Sequence, residues 1–339
     1  MNKIIGIGSY LPLKTLNNEE LEQTVDLSGY DEKKGGPYGK WVERVMGFKN
    51  RHIASDIEAT SDLALEASRK ALQEAGIQPE DLDLIIVTTA TPDKKGPNTA
   101  SILQSKLNAG NNSWAFDVNA ACPGFVYALF VADSLMKSDP SFKHVLVAAA
   151  EKMSTIVDRS DYITGATFSD GAGAVVLERS ESEESGILGC YARSDGEKGE
   201  LLDVPAGGSS MPITPENCKD IYKNKMHCLK MHSHVVKEFA VEKLMESTNA
   251  VLRKHCLGYA DISYFLPHQA GKSIINKSSE AMGLSEDKVL TNYSTVGNAS
   301  MASIPILMDG NKSLFKKGDN LLLAAMGGGL GWGAVLYRW

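Results

Sequence analysis

The chain has no dense run of lysine and arginine, no apolar stretch of about 18 residues, and no two cysteines at C-x-x-C spacing. Each absence excludes a class of protein. With 35 basic against 42 acidic side chains and a formal charge of −7, there is no sequence-wide attraction to nucleic acid or an anionic membrane. The missing apolar stretch leaves no membrane-spanning helix, and the first residues, MNKIIGIGSYLP, lack the continuous apolar run and cleavage site of a signal peptide, so a cytoplasmic location is expected. Five cysteines (122, 190, 218, 228, 256) are an odd number, which argues for reduced thiols and against a disulfide framework. Proline is sparse too, 12 in 339 residues against 31 glycines and 43% apolar side chains, which excludes long disorder and provides for a large core.

What remains alternates between strand and helix patterns. Strands are expected at Ile4–Gly8, Leu82–Thr89, Ala115–Asn119, His144–Ala150, Gly171–Leu177, Ile262–His268, Asn320–Ala325 and Gly333–Tyr337. The clearest amphipathic helix spans Ser61 to Ala75, with Thr60 or Ser61 as its cap and Gly76 as its stop. Others are expected at Asn98–Leu107, after Phe125, at His234–Lys254, at Lys272–Met282 and after Ala302. This grammar occurs twice, which predicts α/β layers with largely parallel central strands in two similar halves, 1–180 and 181–339, meeting near the polar run Arg179–Ser185. Between Gly207 and His234 the sequence is irregular and reads as a solvated surface segment. His227, Cys228, His232 and His234 lie close together there, but without the tighter spacing of zinc sites, so no metal is expected.

Three polar residues stand where chemistry is often placed. Cys122 follows a short strand and starts a helix, with Pro123 suited to the first turn; unpaired helix N–H groups there should ease ionisation of the thiol. The plainer reading is a buried small hydrophobe. His268 ends an apolar strand, and Asn298 lies in the loop STVGNAS between apolar elements. Cys, His and Asn in that order also fit a papain-like protease, but Cys122 lacks the C-G-[SA]-C-[WY] context. A dinucleotide loop at Gly327–Gly329 would need a helix after it, and a strand follows instead.

The segments AFDVNAACPGFVYAL, FLPHQAG, STVGNASMASIP and MGGGLGWGAVLYRW resemble the active-site segments of β-ketoacyl-acyl-carrier-protein synthase III and its relatives in the thiolase superfamily, and the resemblance spans essentially the whole chain. It implies a thiolase-like five-layered αβαβα fold and a homodimer. It further implies an acyltransferase that uses no cofactor, its substrates being thioesters of coenzyme A or acyl carrier protein. Cys122 would carry an acyl group. His268 and Asn298 would donate hydrogen bonds to the second thioester as malonyl loses CO₂, and the N–H groups of Cys122 and Gly328 would form an oxyanion hole. Trp41, Gly96, Phe168 and Met326 would contact substrate.

The chain also departs from that pattern. Ser273 stands where the family has an arginine for the carrier protein, Val45 replaces the entrance arginine with Arg44 beside it, and Tyr162 replaces another arginine near coenzyme A. Gly96 replaces an aromatic residue that would block the acyl pocket from across the dimer. With each buried CH₂ worth roughly 0.8 kcal/mol, an acyl group longer than acetyl is expected. The alternative is a non-decarboxylative head-to-head condensation, or acyl transfer to another acceptor, at the same three residues. An inactive structural partner is disfavoured by the presence of all three.

Overall fold

In the run Leu84–Thr88, LIIVT, no side chain reaches solvent, so this strand must lie inside a sheet covered on both faces. The computed structural model, which describes residues 1–182 and 184–339, places it in such a sheet. Strands β1 (Asn2–Tyr10), β2 (Leu84–Thr88), β3 (Trp114–Val118), β4 (His144–Glu151) and β5 (Gly171–Arg179) form it in the order β1–β5–β4–β2–β3. Strands β6 (Gly186–Ser194), β7 (Tyr264–Pro267), β8 (Asn320–Gly327) and β9 (Gly331–Arg338) form a second sheet, in the order β6–β9–β8–β7. First, last, next-to-last and second strand thus follow one another identically in both sheets. Even β3 has a counterpart, a parallel bridge from Val289 to Phe265 beside β7.

Six helices of nine or more residues complete the layers among the described residues: α1 (Thr60–Ala75), α2 (Thr99–Leu107), α3 (Gly124–Ser138), α4 (Ser233–Lys254), α5 (Lys272–Met282) and α6 (Ser303–Asn311). Helices α1 and α2 share one core with the outer face of the first sheet, through Leu63, Ala67, Ala71 and Leu103. Helices α3 and α6 fill the space between the sheets, where Phe125, Leu129, Ile304 and Leu307 meet Val147, Val175, Leu323 and Val335. Helix α4 covers the outer face of the second sheet through Ala240, Leu244 and Val251, with Met282 of α5 beside it. The result is the five-layered αβαβα stack. Helix α1 lies so close to β1 that a Cβ on Gly6 would stand 2.1 Å from the carbonyl oxygen of Ala71, which is why glycine faces alanine there.

Three expectations need correction or completion. The sheets are mixed rather than largely parallel: β2 is parallel to β3 and β4, and β7 to β8, while the remaining pairs are antiparallel. Between β8 and β9 the cause is plain, because the Gly327–Gly331 turn is too short for the crossover a parallel pair requires. Helix α1 is capped by neither hydroxyl, since the Asp62 carboxylate accepts from the Ala59 N–H at 2.9 Å while Thr60 and Ser61 bond to Thr91 and Asp93. The strands of the first sheet end at Arg179 and those of the second begin at Gly186; within the polar run between them, residue 183 lies outside the described residues.

Candidate active site

Cys122 lies between the end of β3 at Val118 and the start of α3 at Gly124, on a turn tight enough to put Ala121 at φ 49°, a left-handed conformation uncommon for alanine. The backbone N–H groups of Cys122 and Gly328 both reach the sulfur. Gly327 passes so near that a Cβ there would meet the Cys122 Cβ at 2.5 Å and Sγ at 2.8 Å, so the thiol requires glycine at 327. The expected easing of ionisation is reversed: burial, followed by the charge of Glu151, pushes the thiol up to about 11 against the partial relief of Ser300 and the two N–H groups. Cys122 also precedes the first helical residue by two places, so it lies outside the helix itself.

His268 continues β7, its N–H donating to the Ala324 carbonyl at 2.8 Å, and its ring is buried with Nδ1 lacking a hydrogen-bond partner. Burial, partly offset by a hydrogen bond to the Ser300 backbone, holds its pKa down to about 4, so at neutral pH the ring is uncharged. The Asn298 backbone joins Thr167 and Ser169, and its Oδ1 accepts the Ser300 N–H at 2.8 Å. Its amide nitrogen is left as the free donor end.

Cys122, His268 and Asn298 all line one cavity of about 290 Å³. Trp41, Phe168 and Met326 line the same cavity, with Val45 and Ser273. Trp41 precedes a five-residue π turn, Val42–Met46, that contains Val45 and brings residues four apart to one side, while Arg44 turns away to the Gly35 carbonyl at 2.8 Å. Tyr162 lies outside the lining and packs on Trp41 with ring centroids 6.4 Å apart. A second cavity, about 440 Å³, also reaches Cys122; Met153, Ile156 and Leu229 line it, and Phe168 and Leu202 are common to both. Gly96 lines neither cavity.

Several residues at the site are not singled out by the sequence alone, although Ser300 and Gln269 lie inside the segments that carry Asn298 and His268. Ser300, also at φ 49°, places its hydroxyl 3.8 Å from the Cys122 sulfur. Glu151 is fully buried at the end of β4. Buried Gln269 ties the His268 loop to the Asn298 loop by accepting the N–H groups of Asn292 at 2.8 Å and Tyr293 at 3.1 Å. The irregular segment before α4 is not merely solvated surface. Leu229 packs with Met153, Val157 and Phe168 and lines the second cavity, while Met231, and His234 at the start of α4, line the first. Among the described residues no group of three or more His, Cys, Asp or Glu side chains is placed to hold a metal ion, and no helix is long and apolar enough to cross a membrane.

A thiol at the junction of two cavities, under two matching sheets and beside a neutral imidazole and a carboxamide, defines a condensing enzyme of the thiolase fold. Residues 116–196 match the family model for 3-oxoacyl-[acyl-carrier-protein] synthase III, and residues 252–339 match its C-terminal model. The chain is 43% identical over 338 residues to beta-ketoacyl-[acyl-carrier-protein] synthase III of Caldanaerobacter subterraneus subsp. tengcongensis, covering 99% of this chain and 97% of that one. Its fold matches the crystal structure of 3-oxoacyl-[acyl-carrier-protein] synthase III from Aquifex aeolicus with a TM-score of 0.87 at 40% identity, over 100% of both chains. It also matches the priming β-ketosynthase of the R1128 polyketide pathway, with a TM-score of 0.86 at 28% identity over 100% of this chain and 96% of that one. The chain belongs to the 3-oxoacyl-[acyl-carrier-protein] synthase III family, the condensing transferases of fatty-acid biosynthesis.

Proposed function

We propose that Cys122 takes an acyl group longer than acetyl from coenzyme A or carrier-protein thioesters and passes it, by decarboxylative Claisen condensation, to a malonyl thioester. The observation that carries this reading is the position of the sulfur between the two cavities. The first cavity, lined by His268 and Asn298 as well as Cys122, is the one we assign to the pantetheine arm. The second is walled by Met153, Ile156, Leu202 and Leu229, suited to an alkyl chain gaining roughly 0.8 kcal/mol per buried CH₂.

In the first half-reaction the Cys122 sulfur attacks the acyl carbonyl, whose oxygen develops charge toward the N–H groups of Cys122 and Gly328; the pantetheine thiol leaves. In the second, the neutral His268 N–H and the Asn298 NH₂ group hold the malonyl thioester oxygen. Loss of CO₂ leaves an enolate that needs oriented donors rather than a strong base, and its carbon attacks the acyl-Cys122 carbonyl. The enzyme acts as a homodimer through the free edge of β3, where Trp114 is half exposed against Phe116 at 4.6 Å between centroids.

The test is incubation with acyl-CoAs of graded length, followed by intact mass and by CO₂ release on addition of malonyl-acyl-carrier protein. Labelling of Cys122 by chains beyond acetyl, with stoichiometric CO₂, is expected. Labelling by acetyl alone overturns the chain-length reading, and product without CO₂ moves the protein to non-decarboxylative condensation.

A further inference from the structure

Glu151 ends β4 with its carboxylate sealed inside the protein, and neither half-reaction above uses it. One of its oxygens accepts the Ala90 N–H at 3.1 Å and the other the Thr91 hydroxyl at 2.7 Å. The Ser300 hydroxyl is near enough to this carboxylate to lower its pKa, and it donates toward the Cys122 sulfur at 3.8 Å. A rotatable hydroxyl therefore stands between a buried thiol and a buried carboxylate, an arrangement that conducts a proton by turning one O–H bond.

We propose that Ser300 and Glu151 form the proton path out of Cys122, Ser300 touching the reacting sulfur and Glu151 receiving the proton through it. The proposal rests on the acyl-enzyme reading for its role in turnover. As the sulfur–carbon bond to the acyl group forms, the S–H proton passes to Ser300 Oγ and the Ser300 proton passes to the Glu151 carboxylate. The carbon–sulfur bond to pantetheine breaks, and its thiolate leaves as the thiol by taking a proton from water. The hydroxide so formed is neutralised when Glu151 returns its proton to solvent, so no proton is gained or lost over the step.

The surroundings favour this direction. Burial lifts Glu151 to about 7, against the hydrogen bonds from Thr91, Ala90 and Ser300, so that near neutral pH it is a base matched to its medium. His268, at about 4, is the weaker acceptor, and it is the one whose N–H the second half-reaction uses. The titratable groups facing Glu151 are Cys122 and Asp170. The Asp170 carboxylate is taken up by the N–H groups of Ala54 and Ser154 at 2.8 Å each, and the Lys152 amine turns away to the Ser55 and Glu58 carbonyls.

The experiment measures the alkylation rate of Cys122 by iodoacetamide from about pH 5 to about pH 10, read by peptide mass mapping, alongside acylation by hexanoyl-CoA. In the unsubstituted protein the rate should step up through about pH 7, where Glu151 loses its proton. Glu151→Gln should abolish that step and slow both reactions roughly 100-fold near neutral pH, the lower range of a positioned general base. Above about pH 9 the same variant should alkylate faster, because the carboxylate that opposes thiolate formation is gone. Ser300→Ala should lose the step without that gain, and Glu151→Asp should restore a step. A step that survives in Glu151→Gln, or a rate reduced equally at every pH, overturns the relay. If alkylation shows the step but hexanoyl-CoA gives no adduct, the relay stands and the acyl-enzyme reading fails.

Discussion

The backbone N–H of Ser300 donates to the side-chain oxygen of Asn298 at 2.8 Å, which leaves the amide nitrogen as the free donor end of a residue that lines the first cavity. The orientation of a carboxamide, normally ambiguous, is thereby set by its own chain two residues on.

Asn298→Asp keeps that internal bond, because a carboxylate oxygen can still accept from Ser300, but it replaces the free donor by a second acceptor. Condensation should fall by about 100-fold or more, as for the loss of an oxyanion donor. Acylation of Cys122 should persist. Single-turnover acylation and steady-state condensation, measured on one preparation, separate the two outcomes.

Two buried groups make stability depend on pH with opposite signs. His268 is shifted down, from 6.5 to about 4, so the unfolded chain binds the extra proton and stability is lost as pH falls from 6.5 toward 4. Glu151 is shifted up, from 4.5 to about 7, so the folded chain holds the extra proton and stability is lost as pH rises from 4.5 through 7. Glu151→Gln removes the second effect. Its unfolding free energy relative to the unsubstituted protein should improve by roughly 3 kcal/mol between about pH 4.5 and about pH 8, by urea titration.

Gly327→Ala should displace the thiol, since the new methyl would meet the Cys122 sulfur at 2.8 Å. Overpacking of this kind costs about 1–3 kcal/mol. The chain should still fold while Cys122 acylation drops at least about 10-fold, as follows when a reacting group leaves its aligned position. Circular dichroism melts and acyl-CoA labelling provide the comparison.

Leu229→Trp should fill the second cavity, whose wall Leu229 forms with Met153 and Ile156. Acetyl-CoA should then label Cys122 as before, whereas longer acyl-CoAs should not. Unchanged labelling by long chains would place the alkyl group elsewhere.

The alternation of strands and helices was legible because strands such as LIIVT carry continuous apolar runs and helices such as α1 keep their stripe. Cys122, His268 and Asn298 were legible because each follows a strand or loop in a recognisable segment, and the fold brings them to one cavity. Strand direction was not, since a run buried on both faces looks the same whether its neighbour is parallel or antiparallel. Nor was the acidity of Cys122. Helix position argues one way, but burial beside Glu151, more than 20 residues on in the chain, decides the sign. Gln269 joins His268 to Asn298 through backbone N–H groups that leave no mark in composition.

Ala121 and Ser300 share φ 49°, and each stands three residues before one of the two helices that fill the centre, α3 and α6. The turn at the sulfur is therefore present twice, once in each half of a pseudo-dyad, with both copies converging on one point. At matching places they carry a thiol and a thioether, Cys122 and Met301, and a methyl and a hydroxyl, Ala121 and Ser300. The two copies share the left-handed residue and differ in the side chains they carry. Asymmetric chemistry has thus been written onto a symmetric frame by exchanging two side chains at a turn the chain makes twice.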